Sequence, residues 1–193
     1  MGGLYFLRLS LALWLIWLAS WWLAMLWRGK VASEAPRGTW RWYIWLVAVG
    51  FVVMSVGRPG ENMLWRVGPV LGWSMVALTA ASFVFAWWAR ITMGRLWSGG
   101  VMRTDEHRVI QDGPFAWVRH PIYTSLIGAS VAVAALRATP QAMLGPLLIG
   151  LGFYLKARVE ERFLTEELTG YPEYRARVPM LVPWRVPKAA KEP

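Results

Sequence analysis

A polytopic, all-α bundle of about five membrane-spanning helices, followed by cytoplasmic amphipathic helices, is the fold class this sequence predicts. Three observations predict it. Of 193 residues, 56% are apolar and only 17% charged, where a soluble domain holds about 45–50% and about 25%; mean hydropathy is +0.37. The apolar residues fall into five runs separated by polar stretches. The cations segregate into alternate loops, as they do around membrane spans.

The first run, Leu4 to Trp27, carries one charge, Arg8. At 1.5 Å per residue it reaches about 36 Å, enough to cross a hydrocarbon core of about 30 Å. It is longer than a signal peptide and lacks a basic leader and a small-residue cleavage site, so it reads as a span. A basic loop, 28–41, leads to the second run, Trp42 to Val56. Arg58-Pro-Gly-Glu61 reads as a turn. The third run, Val67 to Ala89, carries Gly68 and Gly72 at a spacing that allows close helix approach. Residues 90–120 are polar, with Gly99-Gly100 and a charged run from Arg103 to Arg108.

Two shorter runs follow, Ile122 to Leu136 and Pro140 to Leu155, split by Arg137-Ala-Thr-Pro140. They reach about 22–24 Å and must draw on polar flanks or thin the bilayer. Beyond Leu155 the chain turns charged and stays helical in pattern, with an amphipathic segment ending at Gly170 and a short helix from Glu173 to Val178. Pro179, Pro183 and Pro187 end regular structure. The chain reads as one membrane domain, 1–193. Residues 1–90 form three spans, 91–183 form a loop, a helical hairpin and C-terminal helices, and 184–193 form a tail.

An odd span count with the N-terminus outside puts 28–41, 90–119 and 156–193 inside, with four, five and eight Lys plus Arg. The outside keeps Arg8, Arg58, Arg66 and Arg137. This positive-inside bias predicts that the C-terminal half is cytoplasmic, and the plasma (inner) membrane is the membrane expected. The net charge of +10 belongs to this pattern and to anionic lipid, not to nucleic acid. Fifteen Trp exceed what a core needs. Trp14, Trp27, Trp40, Trp42, Trp65, Trp97, Trp117 and Trp184 are expected in interfacial belts. With no Cys and two His, disulfides, thiol nucleophiles and a metal centre are not expected. A transporter would carry polar groups at mid-span, where this chain has Ser, Thr and Gly.

Ionisable groups beside a bilayer are costly and mark sites. Arg119-His-Pro-x-Tyr123 precedes the last hairpin, and Arg158-Val-Glu-Glu161 follows it. An odd span count returns both to one border. Pro121 disfavours an α conformation at His120 and suits a first helical turn, whose free N–H groups attract anions. Tyr154, Arg158 and Glu161 share a helical face, and Glu160 points about 100° away from Glu161. Singly, Arg119 also fits a basic anchor, Tyr123 a belt residue and the Glu pair a solvated helix. Their joint occurrence marks the site.

The set resembles the isoprenylcysteine carboxyl methyltransferase and phospholipid methyltransferase superfamily of integral membrane enzymes. His107-Arg-Val-Ile-Gln-Asp-Gly-Pro-Phe115 resembles that family's lead-in, and Gly128 a glycine of the next helix. Glu160-Glu-Arg-Phe-Leu164, Tyr171-Pro-Glu-Tyr174 and Arg177-Val-Pro179 with Pro183 resemble its tail. Phe115 replaces a usual Tyr, and Thr124-Ser125 stand where many members have Gly. The resemblance covers about half the chain, 94–183.

It implies S-adenosylmethionine as cofactor and a lipophilic or small methyl acceptor within membrane lipid. A carboxylate of isoprenylcysteine type is preferred, and a thiol or amine stays open. It implies cofactor binding by His107, Val109, Gly113, Pro114, Arg119, His120, Pro121, Tyr123, Tyr154 and Glu160. Arg158 and Glu161 become candidates for the reacting end. A cofactor carboxylate suits Arg119 or His120, and its ammonium suits a Glu. Which Glu takes the ammonium, and which orients Arg158, stays open. A nicotinamide-dependent membrane reductase of the same architecture is the alternative, as is a non-enzymatic membrane protein.

Overall fold

The structure is a computed structural model that describes residues 2–24, 26, 33–34, 42–58, 60–94, 102–103 and 109–184. Five apolar helices form the bundle: α1 (Gly2–Ala24), α2 (Trp42–Ser55), α3 (Pro69–Met93), α4 (Pro121–Arg137) and α5 (Pro140–Glu167). A short α6 (Tyr171–Arg177) follows, and a 3-10 turn, Gly113–Ala116, precedes α4. The backbone of Ser33–Glu34 (β1) pairs antiparallel with Met102–Arg103 (β2). The fold is thus the expected helical membrane bundle, with this one two-residue ladder between its loops.

Helices α1, α3 and α5 are long and apolar enough to cross a membrane, while α2 and α4 have 14 and 17 residues. These two reach about 21 and 25 Å. α5 stays helical past Leu155, as the pattern predicts. Its 28 residues run unbroken from the apolar half into the charged half, about 42 Å in all. Pro146 lies in its second turn and is buried. Large apolar side chains such as Leu15, Ile16, Val70 and Leu147 face outward, as lipid-facing positions do.

The core lies between α1, α3 and α4. Phe6, Leu7, Trp14 and Trp17 meet Phe83 and Ala86, with Ala129, Val133 and Ala134 closing it. The Trp17 and Phe83 rings stack at 5.1 Å. Trp14, expected at an interface, is buried here, because its face of α1 points at α3. Trp42, Trp117 and Trp184 are exposed, and the Trp65 indole donates to the Ala135 carbonyl at 3.1 Å. Trp27, Trp40 and Trp97 lie outside the described residues.

Two buried arginines tie helix ends together. Arg90 Nη2 donates to the Ala24 carbonyl at the end of α1, at 3.0 Å. Arg137 Nη2 reaches the Ser55, Val56 and Gly57 carbonyls at 3.2, 2.9 and 2.8 Å. A cation suits the negative end of a helix and its unpaired carbonyls. The turn from α4 to α5 is tight. Ala138 takes a left-handed φ of 53°, and Thr139 caps α5 by accepting from the Ala142 N–H at 3.3 Å.

Glycines set the α2–α5 seam. A Cβ on Gly145 would lie 2.5 Å from Met54 Cβ and 2.9 Å from the Gly50 carbonyl oxygen. One on Gly152 would lie 3.0 Å from the Tyr43 carbonyl oxygen. Small residues let membrane helices approach closely where no hydrophobic drive exists between them. Of the predicted Gly68 and Gly72 pair, only Gly72 works this way, against Phe6, and Gly68 faces open space. Gly145→Val should therefore destabilise the protein in detergent by about 1–3 kcal/mol, the usual cost of overpacking. Gly68→Ala should change it by less than about 0.5 kcal/mol. Thermal unfolding of both variants checks the contrast, and equal effects would contradict the seam.

Candidate active site

The chain reaches the site through the 3-10 turn. Gly113 has a φ of +57°, and a Cβ there would crowd Trp88 Nε1 and Thr92 Oγ1 of α3 at 3.1 and 3.2 Å. Pro114 and Phe115 are buried behind it. His120, the last residue before α4, has φ −124° and ψ 65°. That is the non-helical conformation proline enforces on its predecessor. Pro121 then opens α4 as a buried first-turn residue.

At this end of α4 the polar residues converge. Arg119 meets Glu161 of α5 with two parallel contacts, Nε to Oε1 at 2.7 Å and Nη2 to Oε2 at 3.1 Å. Their side chains are 8% and 1% exposed. His120 Nε2 lies 3.2 Å from Glu161 Oε1, and Arg175 Nε lies 3.4 Å from Oε2. Arg119 Nη1 also donates to the carbonyls of Arg175, at 2.8 Å, and Val178. Glu161 thus lies among three cationic or imidazole groups, and Arg119 directs all its donor atoms at the α5–α6 region.

Glu160 faces the neighbouring space, as its 100° offset requires. Tyr123 Oη donates to it at 2.7 and 2.8 Å from the two carboxylate oxygens, and His120 Nδ1 lies 3.5 Å away. His120 stacks on Tyr123 at 5.3 Å, and Tyr123 on Phe153 at 4.8 Å. Lys156 Nζ lies 3.6 Å from Glu160 Oε1 and 5.0 Å above the Tyr123 ring.

The C-terminal segment closes over the α4 entrance. The Arg119 and His120 N–H groups donate to the Pro179 and Met180 carbonyls at 2.9 and 3.1 Å. Thr124 Oγ1 donates to the Leu181 carbonyl at 2.7 Å, so the Thr at a common Gly position anchors this segment. Val109, Leu164 and Val178 pack against the cluster of Leu168, Tyr171 and Tyr174. Tyr174 Oη donates to the Phe115 carbonyl at 2.7 Å. Burial pushes the Tyr171 and Tyr174 phenols well above their ordinary range. The Glu161 charge adds to this, and Arg119 opposes it. Both stay protonated donors at neutral pH.

The constellation brings together Arg119, His120, Pro121, Tyr123, Glu160 and Glu161. Val109 borders it through the tyrosines, and Gly113 and Pro114 lie before it against α3. Arg158 stands apart. Its Nη1 lies 3.0 Å from Tyr154 Oη on an exposed face. The bidentate partner of Glu161 is Arg119, which stands just before α4 opposite it, so of the two glutamates left open for orienting Arg158 this one is engaged from the α4 side. His107 lies outside the described residues. Sequence reasoning missed Lys156, Arg175 and the 178–181 carbonyls. Lys156 sits four residues before Glu160, a readable spacing, but the carbonyls carry no side-chain signal. Among the described residues no group of His, Asp and Glu suits a metal ion.

Removing one partner of a buried ion pair costs about 3–5 kcal/mol. Glu161→Leu should lose about that much stability and make 175–184 sensitive to protease. Glu173→Gln, at an exposed position of α6, should change stability by less than about 0.5 kcal/mol. Denaturation combined with limited proteolysis checks this, and an unchanged cleavage pattern in Glu161→Leu would contradict the clamp.

Residues 75–166 match the isoprenylcysteine carboxyl methyltransferase family. The chain is 29% identical over 84 residues to protein-S-isoprenylcysteine O-methyltransferase of Xenopus laevis, 42% of this chain and 29% of that protein. It is 28% identical over 176 residues to methanethiol S-methyltransferase 1 of Bradyrhizobium diazoefficiens, 82% of this chain and 58% of that protein. The chain thus spans less than two thirds of either relative.

Proposed function

From the premise that the chain is a member, through residues 75–166, of the isoprenylcysteine carboxyl methyltransferase-like superfamily of membrane methyltransferases, we propose that it transfers a methyl group from S-adenosylmethionine to a lipophilic acceptor. One observation carries the reading: His120, Tyr123 and Glu160 meet at one bundle end, fixed by the buried Arg119–Glu161 pair. Their chemistry fits the cofactor's amino acid head. His120 and the first turn of α4 suit its carboxylate, and Glu160, oriented by Tyr123, suits its ammonium. Val109, Gly113 and Pro114 would border its adenosine. S-adenosylmethionine supplies an electrophilic methyl group and leaves as a neutral thioether.

The protein's task is then alignment and exclusion of water. Arg158, held by Tyr154, would orient an anionic acceptor arriving from the lipid. Glu161, engaged by Arg119 and His120, would act as a positioning residue rather than a proton acceptor. A carboxylate nucleophile needs no base, which supports an acid of isoprenylcysteine type. A thiol is the second reading, because the similarity to the methanethiol enzyme extends over most of the chain. The cation distribution supports an N-terminus outside and the site on the cytoplasmic side.

His120→Ala and Glu160→Ala should each weaken S-adenosylhomocysteine binding by about 1.5–3 kcal/mol, the scale of a hydrogen bond to a charged group. Calorimetry on the detergent-purified chain measures this, and unchanged affinity in both would refute the assignment. For orientation, single cysteines at Glu61 and Glu173 should differ towards an impermeant maleimide on intact cells. Position 61 should react and position 173 should not, and the reverse would invert the topology.

A further inference from the structure

The end of the bundle away from His120 and Glu160 holds a cavity of about 390 Å³. Pro121 opens α4 beside the constellation, and Arg137 closes it beside this cavity, so the two sites stand about 25 Å apart. The first turn of α1, the 60–67 loop and the end of α4 line the cavity. The loop is pinned to α4. The Leu64 N–H donates to the Ala138 carbonyl at 2.7 Å, and the Trp65 indole donates to the Ala135 carbonyl at 3.1 Å. Leu7, Val67 and Leu136 supply apolar walls.

Two cations, Arg66 and Arg137, also line this space. Arg137 is 9% exposed, and its bonds to the end of α2 leave from Nη2. Its Nε has no hydrogen-bond partner among the described residues. No described carboxylate pairs with either arginine. Glu61, the acid of this loop, stands 3.8 Å from Arg58 instead. Carbonyls satisfy Nη2 but bring no net charge, and a buried charge is costly without a counter-charge. Two cations on one small cavity also repel each other. The first turn of α1 adds N–H groups without intrahelical partners, which attract anions. The cavity thus carries a positive field that no described carboxylate of the chain offsets.

Its mouth lies at a lipid border. Leu4, on the cavity wall, is 42% exposed, and Val70 in the first turn of α3 is 84% exposed. We propose that the cavity binds the headgroup phosphate of a membrane phospholipid, with Arg66 and Arg137 on the phosphate and the acyl chains along α1 and α3. Guanidinium forks match phosphate oxygens. A lipid suits the site better than a soluble anion because apolar walls run outward from the cations. This site is independent of methyl transfer, and it would fix the start of α1 and the end of α4 to one leaflet.

The test uses the full chain in a non-ionic detergent, with binding counted by native mass spectrometry. The probes are dioctanoylphosphatidylglycerol, dioctanoylglycerol without the phosphate, and inorganic phosphate. The wild-type chain should bind one phosphatidylglycerol about tenfold more tightly than the diacylglycerol, the scale of a hydrogen bond to a charged group. Arg66 is exposed, so Arg66→Gln should keep the wild-type unfolding temperature in lipid-free detergent while losing that preference. Arg58→Gln makes the same charge change in the neighbouring turn, outside the cavity, and should keep the affinity within about twofold. The proposal is overturned if the wild type does not distinguish the two lipids or if Arg58→Gln weakens binding as much as Arg66→Gln. It is also overturned if inorganic phosphate binds as tightly as the phospholipid, which would mark a site for a soluble anion.

Discussion

The buried pairing of Arg119 with Glu161 is the constraint on which the rest of the site depends. Two charges at 8% and 1% exposure are costly to desolvate, and only near-complete hydrogen bonding offsets that cost. The chain meets the demand with segments that share no local sequence. Arg119 precedes α4, Glu161 lies on α5, and the remaining Arg119 donors reach carbonyls at 175 and 178. A single ion pair thereby joins the α4 entrance, the charged half of α5 and the C-terminal segment. His120 and Glu160 each lie one residue from this pair, so their positions follow from it. The planar guanidinium fork makes this possible, and a lysine could not supply it.

The second layer of the architecture is apolar. The glycine seam between α2 and α5 and the aromatic core between α1, α3 and α4 hold the spans without ionic contacts. Arg90 and Arg137 then fasten helix ends through their Nη groups, which donate to backbone carbonyls. These cations serve the fold, whereas those at the α4–α5 border serve the site. α5 belongs to both layers. Its first half packs on α2 through Gly145 and Gly152, and its second half carries Lys156, Glu160 and Glu161. Because the helix is continuous, packing in the seam sets the rotation at which both glutamates are presented.

Much of this was legible in the sequence, for physical reasons. Spans are read from apolar length, because a bilayer admits only helices or closed barrels. The Arg119-to-Tyr123 string and the Glu pair were legible because charge beside lipid is rare. Other features left no such trace. Trp14 reads as a belt residue, since a run apolar all round does not reveal which face meets α3. Gly68 and Gly72 had the recognised spacing, yet the working seam uses Gly50, Gly145 and Gly152 on two helices, and pairing between helices is not written in either one. The Arg119–Glu161 pairing was not legible, because helical spacing relates residues on one helix and is silent about a neighbour arriving from just before α4. The carbonyls of 175–181 have no side-chain signature at all.

The central claim is that α4 and α5 build the cofactor site at their Arg119–Glu161 end. Hydrogen–deuterium exchange of the detergent-purified chain, with and without S-adenosylhomocysteine, tests it most directly. Ligand-dependent protection is expected in peptides covering 109–124 and 156–181, with α1 and the 60–67 loop at the far end unchanged. No protection there, or protection confined to α1 to α3, would contradict it.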